Sequence, residues 1–243
     1  MAKSIRLYIA APLSAGTSVA LSREQAHYLG AVMRLSPGAT IFLFNARDGE
    51  WRARIDALGP KGAIAVPETP SRASEAEHEA KTGGGPWLAF ALLKRQATDL
   101  VVQKATELGA AALLPVLTAR GVGERVNLGR LEAIAIEAAE QSERLSLPVI
   151  RAPQPLPALL ATWPRERRLI AAIERADAPP PMAGEGPVAL LIGPEGGFTP
   201  AELDVLRAHP FVEPATLGPR ILRAETAAIA GLALLQGPLW RSR

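Results

Sequence analysis

From residue 87 onward, apolar side chains follow two alternating patterns. Nearly continuous apolar runs at 87–92, 112–116, 168–173 and 188–192 lack period-2 alternation and read as strands buried on both faces. Residues 99–108, 128–141, 200–208 and 224–236 space their apolar positions three and four apart, as amphipathic helices do, and 211–217 reads as one more short strand. Alternation of this kind predicts a mostly parallel sheet covered by helices, an α/β domain. The first part of the chain has a different rhythm. Runs at 5–10, 39–44, 51–55 and 63–66 look like β-strands, separated by turn signals at Ser36-Pro37-Gly38 and Asp48-Gly49. One helix interrupts them at 23–33, capped by Ser22, with Ala26, Leu29 and Met33 on one face. A small β-barrel fits this order.

Periodicity disappears over residues 68–86, where Pro, Ser, Glu and three consecutive glycines take over. A boundary inside that stretch divides the chain into domains 1–72 and 73–243. A second Pro/Gly-rich stretch, 176–187, lies between two strands without a helical pattern, and no internal repeat is present.

Composition narrows the chemistry. With 48% apolar and 21% charged residues among 243, the chain is neither disordered nor fibrous. The absence of cysteine excludes disulfides, Cys-ligated zinc, iron–sulfur clusters and thiolate nucleophiles. His27, His78 and His209 are too far apart for an HExxH-type site, so no metal is expected. No apolar run approaches the roughly 20 residues that span a bilayer, and the start lacks the apolar core of a secretory signal; a cytoplasmic location is expected. The net charge is only +3, but residues 1–72 hold nine Lys/Arg against five Asp/Glu, while the remainder holds 18 against 19. Of the 27 cations 22 are arginine, which pairs bidentately with phosphate and stacks on bases. The preference for arginine fits a nucleic-acid surface and equally the codon bias of a GC-rich genome.

Four segments could carry chemistry. Residues 188–202 run from an apolar strand into Gly193-Pro-Glu-Gly-Gly197 and then a helix start marked by Thr199, Pro200 and Glu202. Such a loop lies at the carboxyl end of a parallel strand, where open α/β sheets bind ligands, and its glycines permit positive φ. An ordinary strand-to-helix turn has the same letters. There is no GxxxxGK[ST], no GxGxxG after a strand and no GxSxG, so three common nucleotide and hydrolase signatures are missing. In Leu217-Gly-Pro-Arg-Ile-Leu-Arg-Ala-Glu-Thr-Ala227, Arg220 and Arg223 stand at a helix N-terminus, which disfavours cations. They are either solvated charges or functional ones, and Glu225 suits the helix start. Gln103-Lys-Ala-Thr-Glu-Leu-Gly109 closes one helix and Glu137-Ala-Ala-Glu-Gln-Ser-Glu-Arg144 another, both readable as structural.

Taken in order, these segments resemble the RsmE family, the 16S rRNA (uracil(1498)-N3)-methyltransferases of the SPOUT class. Arg6-Leu-Tyr8, His27-Tyr-Leu29, Val32-Met-Arg-Leu35 and Ile41-Phe-Leu-Phe44 extend the likeness over nearly the whole chain. The resemblance implies an N-terminal PUA-like β-barrel that binds RNA, joined to a C-terminal α/β domain with a trefoil knot. It further implies a homodimer that moves a methyl group from S-adenosylmethionine to N3 of a uridine in 16S rRNA of the small ribosomal subunit. Carried onto this chain, the cofactor residues are Ala172 and Ile173, then Ile192, Gly193, Glu195, Gly196 and Gly197, then Leu217, Gly218, Ile221 and Leu222. Arg223 and Arg220 are the candidates for electrostatic help to the reacting base, and Glu195, in the cofactor loop, is the third catalytic candidate, to orient the loop or attract the sulfonium charge. Arg6, Arg23, Arg34, Arg52 and Arg144 are expected against RNA. The chain departs from the family pattern at Leu131 and over residues 120–125, both expected on the RNA-facing surface. Two rival classes remain: an inactive RNA-binding or assembly protein, and a metabolic α/β enzyme acting on a phosphorylated small molecule.

Overall fold

The computed structural model describes residues 5–75, 84–123 and 125–236. The chain divides into two compact units: Met1–His78 with Ala139–Ser146, and Glu79–Ala138 with Leu147–Arg243. The first unit therefore takes in more than residues 1–72, and part of the expected linker falls outside the described residues.

In the first unit, β1 (Arg6–Tyr8), β2 (Val19–Leu21), β3 (Thr40–Asn45), β4 (Gly49–Gly59) and β5 (Gly62–Arg72) form one sheet in the order β1-β3-β4-β5-β2. The β1–β3 pair is parallel and the others antiparallel. Three register shifts along the β4–β5 hairpin bend it. β4 shows the burial alternation of a half-covered strand, with Ala53 and Ile55 fully buried and Arg52 and Asp56 exposed. β5 continues through residues 68–72, where periodicity is lost. β2 pairs only with residues 63–65, so Glu68, Thr69 and Pro70 lie exposed beyond it and carry no apolar pattern. β2 itself is too short to leave one.

The helix expected at 23–33 is in two parts. α1 (Arg23–His27) opens with a capping box in which Ser22 Oγ accepts from Gln25 N at 3.1 Å while Gln25 Oε1 accepts from Ser22 N at 2.9 Å. A π-turn, Tyr28–Val32, follows, and Met33 N donates to Tyr28 O at 2.9 Å. The extra residue in that turn rotates Met33 off the apolar face, so it is exposed while Ala26 and Leu29 are buried.

The second unit runs β6 (Trp87–Ala91), α2 (Arg95–Glu107), β7 (Ala112–Leu117), α3 (Leu128–Ser142), β8 (Val149–Ile150), β9 (Gln154–Pro155), α4 (Leu156–Ala161), β10 (Arg168–Ala172), β11 (Val188–Ile192), α5 (Pro200–Arg207), β12 (Val212–Ala215) and α6 (Ala224–Gln236). The last residues of α3 group with the first unit. The sheet is wholly parallel, in the order β12-β10-β11-β6-β7-β8, with β9 also on β7. One face packs Val102 of α2, Leu131 of α3 and Leu232 of α6; the other packs Leu159 of α4, Trp163 and Leu206 of α5. With both faces covered, Leu190 and Leu191 are fully buried although adjacent, which is why β11 reads as a continuous apolar run. Leu131, expected on an RNA-facing surface, is instead part of this core. β8, β9 and the short α4 were not visible as periodic segments. Among the described residues no helix is long and apolar enough to cross a membrane.

Candidate functional site

Strands β10, β11 and β12 end level with one another, since Ala172 registers with both Ile192 and Ala215. The segments that follow them therefore emerge together at the carboxyl edge of the sheet, the place where open α/β sheets hold ligands. They enclose a half-open cleft of about 240 Å³. Of the residues expected to hold a cofactor, Ala172, Ile173, Ile192, Gly193, Gly196 and Gly197 line it from the first two strand ends. Leu217, Gly218 and Leu222 line it from the third, together with Arg220. Glu195 sits at the exposed tip of the glycine loop, Ile221 is 58% exposed, and Arg223 is exposed immediately before α6; none of the three forms the wall.

The glycine loop is shaped by main-chain geometry. Gly197 N closes a turn on Pro194 O at 2.8 Å, and Gly197 has φ +68°, a left-handed conformation that favours glycine. Gly193 and Gly196 do not share that conformation. Gly193 is required by space instead, because a Cβ there would lie 2.9 Å from the Phe198 ring. The loop then enters α5 through a complete capping box: Thr199 N donates to Glu202 Oε2 at 2.8 Å, and Glu202 N to Thr199 Oγ1 at 3.3 Å.

The second oxygen of Glu202 reaches another loop, accepting from Ala119 N at 2.8 Å. Beside it, Arg120 donates to Gly196 O at 2.7 Å and lines the cleft. Burial opposes the Glu202 charge, but the backbone N–H groups of Thr199 and Ala119, the Thr199 hydroxyl and the Arg120 charge outweigh it and hold this carboxyl below the usual range. Residues 120–125, expected to face RNA, thus include a residue that holds the glycine loop. Sequence reasoning also missed Glu174, Phe198, Leu203 and Thr216 on the cleft wall. Phe198, two residues beyond the second glycine, could have been found from the need to fill space beside Gly193.

The expected RNA-contacting arginines are dispersed within the first unit. Arg23 and Arg34 are exposed. Arg52 stands 3.9 Å from Glu68. Arg144 is half-buried, with its Nε donating to Ser146 Oγ at 3.1 Å. Arg6 is not available to a ligand: its side chain is 6% exposed, its Nε pairs with Glu50 at 2.5 Å, and its Nη atoms donate to the carbonyls of Ala139, Glu140 and Arg144. It also lies over the Phe44 ring, 4.2 Å from the centroid. Arg6 is a structural residue, because each of its nitrogens is committed inside the unit.

Residues 86–236 match the RNA methyltransferase domain family, and residues 21–68 the RNA methyltransferase PUA domain family. The ribosomal RNA small subunit methyltransferase E of Rickettsia conorii is 32% identical over 239 residues, covering 94% of this chain and 93% of the relative. A Legionella pneumophila methyltransferase solved with bound S-adenosylmethionine superimposes with a TM-score of 0.84 at 28% identity, covering 97% of this chain and 98% of its own. The Neisseria gonorrhoeae ribosomal RNA small subunit methyltransferase E, solved with the same cofactor, gives 0.81 and 28% over the same shares. A parallel sheet bearing a glycine-loop cleft at its carboxyl edge, preceded by a PUA-like sheet unit, defines an RNA methyltransferase of the α/β-knot (SPOUT) class. Within that class, the chain belongs to the ribosomal RNA small subunit methyltransferase E family.

Proposed function

We propose that this protein methylates N3 of a uridine in 16S rRNA, using S-adenosylmethionine held in the cleft at the ends of β10, β11 and β12. The observation that supports this reading is the convergence of three segments, distant in sequence, on one cleft of about 240 Å³. The cleft fits the cofactor in kind. Ile192, Leu217, Leu222 and Ala227 offer apolar wall to an aromatic ring, and three strand-end loops offer main-chain donors and acceptors to its polar edge. The cleft is half-open, which leaves a side for a second substrate to approach.

Bound there, S-adenosylmethionine supplies a methyl group activated by a positively charged sulfur. The residues of the chain must make the uridine nucleophilic, because its neutral N3 bears a proton and has no free lone pair; that proton passes to solvent water as the N3 anion forms. Arg220, in the wall, can stabilise negative charge developing on the uridine oxygens and so lower the N3 pKa, each unit being worth about 1.4 kcal/mol. Arg223, exposed at the start of α6, is the second cation within this segment. Glu174 in the wall and Glu195 at the exposed loop tip are carboxylates of these strand-end segments, set against Arg120 and Arg220 in the same wall. Alignment of nitrogen, methyl and sulfur contributes further.

The test is incubation of the purified protein with labelled S-adenosylmethionine and small ribosomal subunits from a strain lacking the activity, followed by mass spectrometric mapping. Methylation at N3 of one uridine is the expected result. Label on a ribose or another ring position would overturn the N3 assignment, and absence of cofactor binding the whole reading. Arg220→Ala should lower the single-turnover rate at saturating cofactor and RNA at least tenfold.

A further inference from the structure

In the first unit, a groove of about 540 Å³ runs between the α1/π-turn segment and the tip of the β4–β5 hairpin. Ala26, Ala31, Leu35 and Leu58 give it apolar walls, and Arg23 and His27 line it as well. Val32 and Met33 next to it are exposed, at 59% and 37%.

Charge singles out the same place. Arg47 pairs with Asp48, Arg52 with Glu68, Arg54 with both Asp56 and Glu68, and Arg72 with Glu75. Among the described residues of this unit, Arg23, Arg34 and Lys61 have no ion pair; they lie on, or directly beside, the groove-lining residues Arg23, Leu35 and Pro60. Glu24 is the one carboxylate on α1. Positive charge that is already neutralised gains little from a phosphate, whereas unpaired charge releases counterions when it meets one.

The backbone adds a third observation. Arg34 has φ +55°, fixed by Leu35 N donating to Leu29 O at 2.9 Å as the π-turn closes. Glycine would adopt this helix-ending conformation with less strain. A strained position occupied by a long cation points to a use for the side chain rather than for the turn.

We infer that this groove takes an unstacked nucleobase of single-stranded RNA, with flanking phosphates on Arg34, Arg23 and Lys61. The apolar walls receive the base, and Arg23 and His27 stack on it, as exposed bases are commonly held. The inference rests on the RNA-methylating reading above and assigns its RNA contact to one face: Arg47, Arg52 and Arg54 fall outside that face because carboxylates already neutralise them.

The test uses the full chain and two fluorescent probes, a ten-residue oligouridine and an abasic ribose-phosphate chain of equal length. Combined Arg23→Ala, Arg34→Gly and Lys61→Ala should weaken oligouridine binding at least tenfold at 0.1 M salt. It should also reduce the slope of log affinity against log salt by about two, at roughly 0.7 for each phosphate that is no longer neutralised. Arg52→Ala with Arg54→Ala should change affinity less than twofold. The wild type should prefer oligouridine over the abasic chain several-fold, and Ala31→Glu should abolish the preference. Arg34→Gly alone should hold or raise the melting temperature, which separates impaired binding from impaired folding. Equal binding by the triple variant, an equal loss in the Arg52/Arg54 variant, or no preference for bases would each overturn the inference. Failure of the underlying reading is seen separately, as a wild type that neither binds S-adenosylmethionine nor methylates small subunits.

Discussion

The two units build their functional surfaces from different materials. In the α/β unit the cleft is made of main chain: three strand ends, a glycine loop fixed by a turn, and a helix cap that reaches across to Ala119. In the sheet unit, what matters is the state of side-chain charge, since arginines a few residues apart are buried, neutralised or free. A main-chain site tolerates no added volume, while a charged surface tolerates nearly any change that leaves its unpaired cations alone. This difference sets the size of the effects expected from substitution.

The largest effect is expected where the sheet unit departs from that tolerance. Arg6→Met removes a buried cation and leaves Glu50, with a side chain 8% exposed, without its partner; Glu50 Oε1 retains only the Ser71 hydroxyl. Breaking a buried pair from one side costs about 3–5 kcal/mol, which urea unfolding would register as a lower midpoint. Replacing Glu50 as well, with Glu50→Leu, should recover much of the loss. A loss below about 1 kcal/mol for Arg6→Met would show that the pair is hydrated and that the two units differ less than proposed.

Next comes the glycine loop. Gly193→Ala puts a methyl group 2.9 Å from the Phe198 ring in a loop held at both ends. Overpacking of this kind costs about 1–3 kcal/mol, and the displaced loop should weaken S-adenosylmethionine binding at least tenfold by calorimetric titration. Gly196→Ala meets only the flexible Arg120 side chain, at 3.3 Å, and should cost less. Equal effects at the two positions would contradict the assignment of Gly193 to space.

These examples also show how far the sequence was legible. Glycines, the Thr199–Glu202 cap and the apolar run of β11 announce main-chain architecture locally, so the strand-end segments and most of the cleft wall could be read in advance. Arg120 could not, because its link to Gly196 spans 76 positions and depends on how β7 lies in the sheet. Arginine is the least legible residue here. The Arg6–Glu50 pair spans 44 positions and the Arg54–Glu68 pair 14, so nothing near either arginine tells a buried strut from a neutralised surface charge. The two-residue strands β8 and β9 are set by pairing with β7 alone and carry no period of their own.

A smaller effect tests the cap. Glu202→Ala removes the acceptor for Thr199 N and Ala119 N and should cost about 1–2 kcal/mol. Its pH dependence has a definite sign. The folded-state pKa of Glu202 lies below the ordinary value, so its contribution is complete above the ordinary glutamate range and is lost as pH falls through the lowered value. The gap in melting temperature between wild type and Glu202→Ala should therefore be full at neutral pH and close in acid. A gap that widened in acid would place the stabilising form on the protonated carboxyl.

The smallest effect is expected at Arg54. It registers with Val66 across the β4–β5 ladder, and Glu68 is the extra residue at the register shift between the Ala53–Pro67 and Arg52–Thr69 pairs, within reach of the long side chain. The arginine meets Glu68 at 3.3 Å and Asp56 at 3.1 Å, with 44% of its side chain still exposed. Ordering these side chains offsets most of the attraction, and about 0.1 M salt screens what remains over roughly 10 Å. Arg54→Ala should thus move stability by no more than about 0.5 kcal/mol, by a shift that shrinks as salt is added. The measurement is a pair of urea titrations at low and moderate salt. A loss several times larger and insensitive to salt would mean that this cation is buried in function like Arg6, and the division between main-chain site and charged surface would then have to be drawn inside the sheet unit.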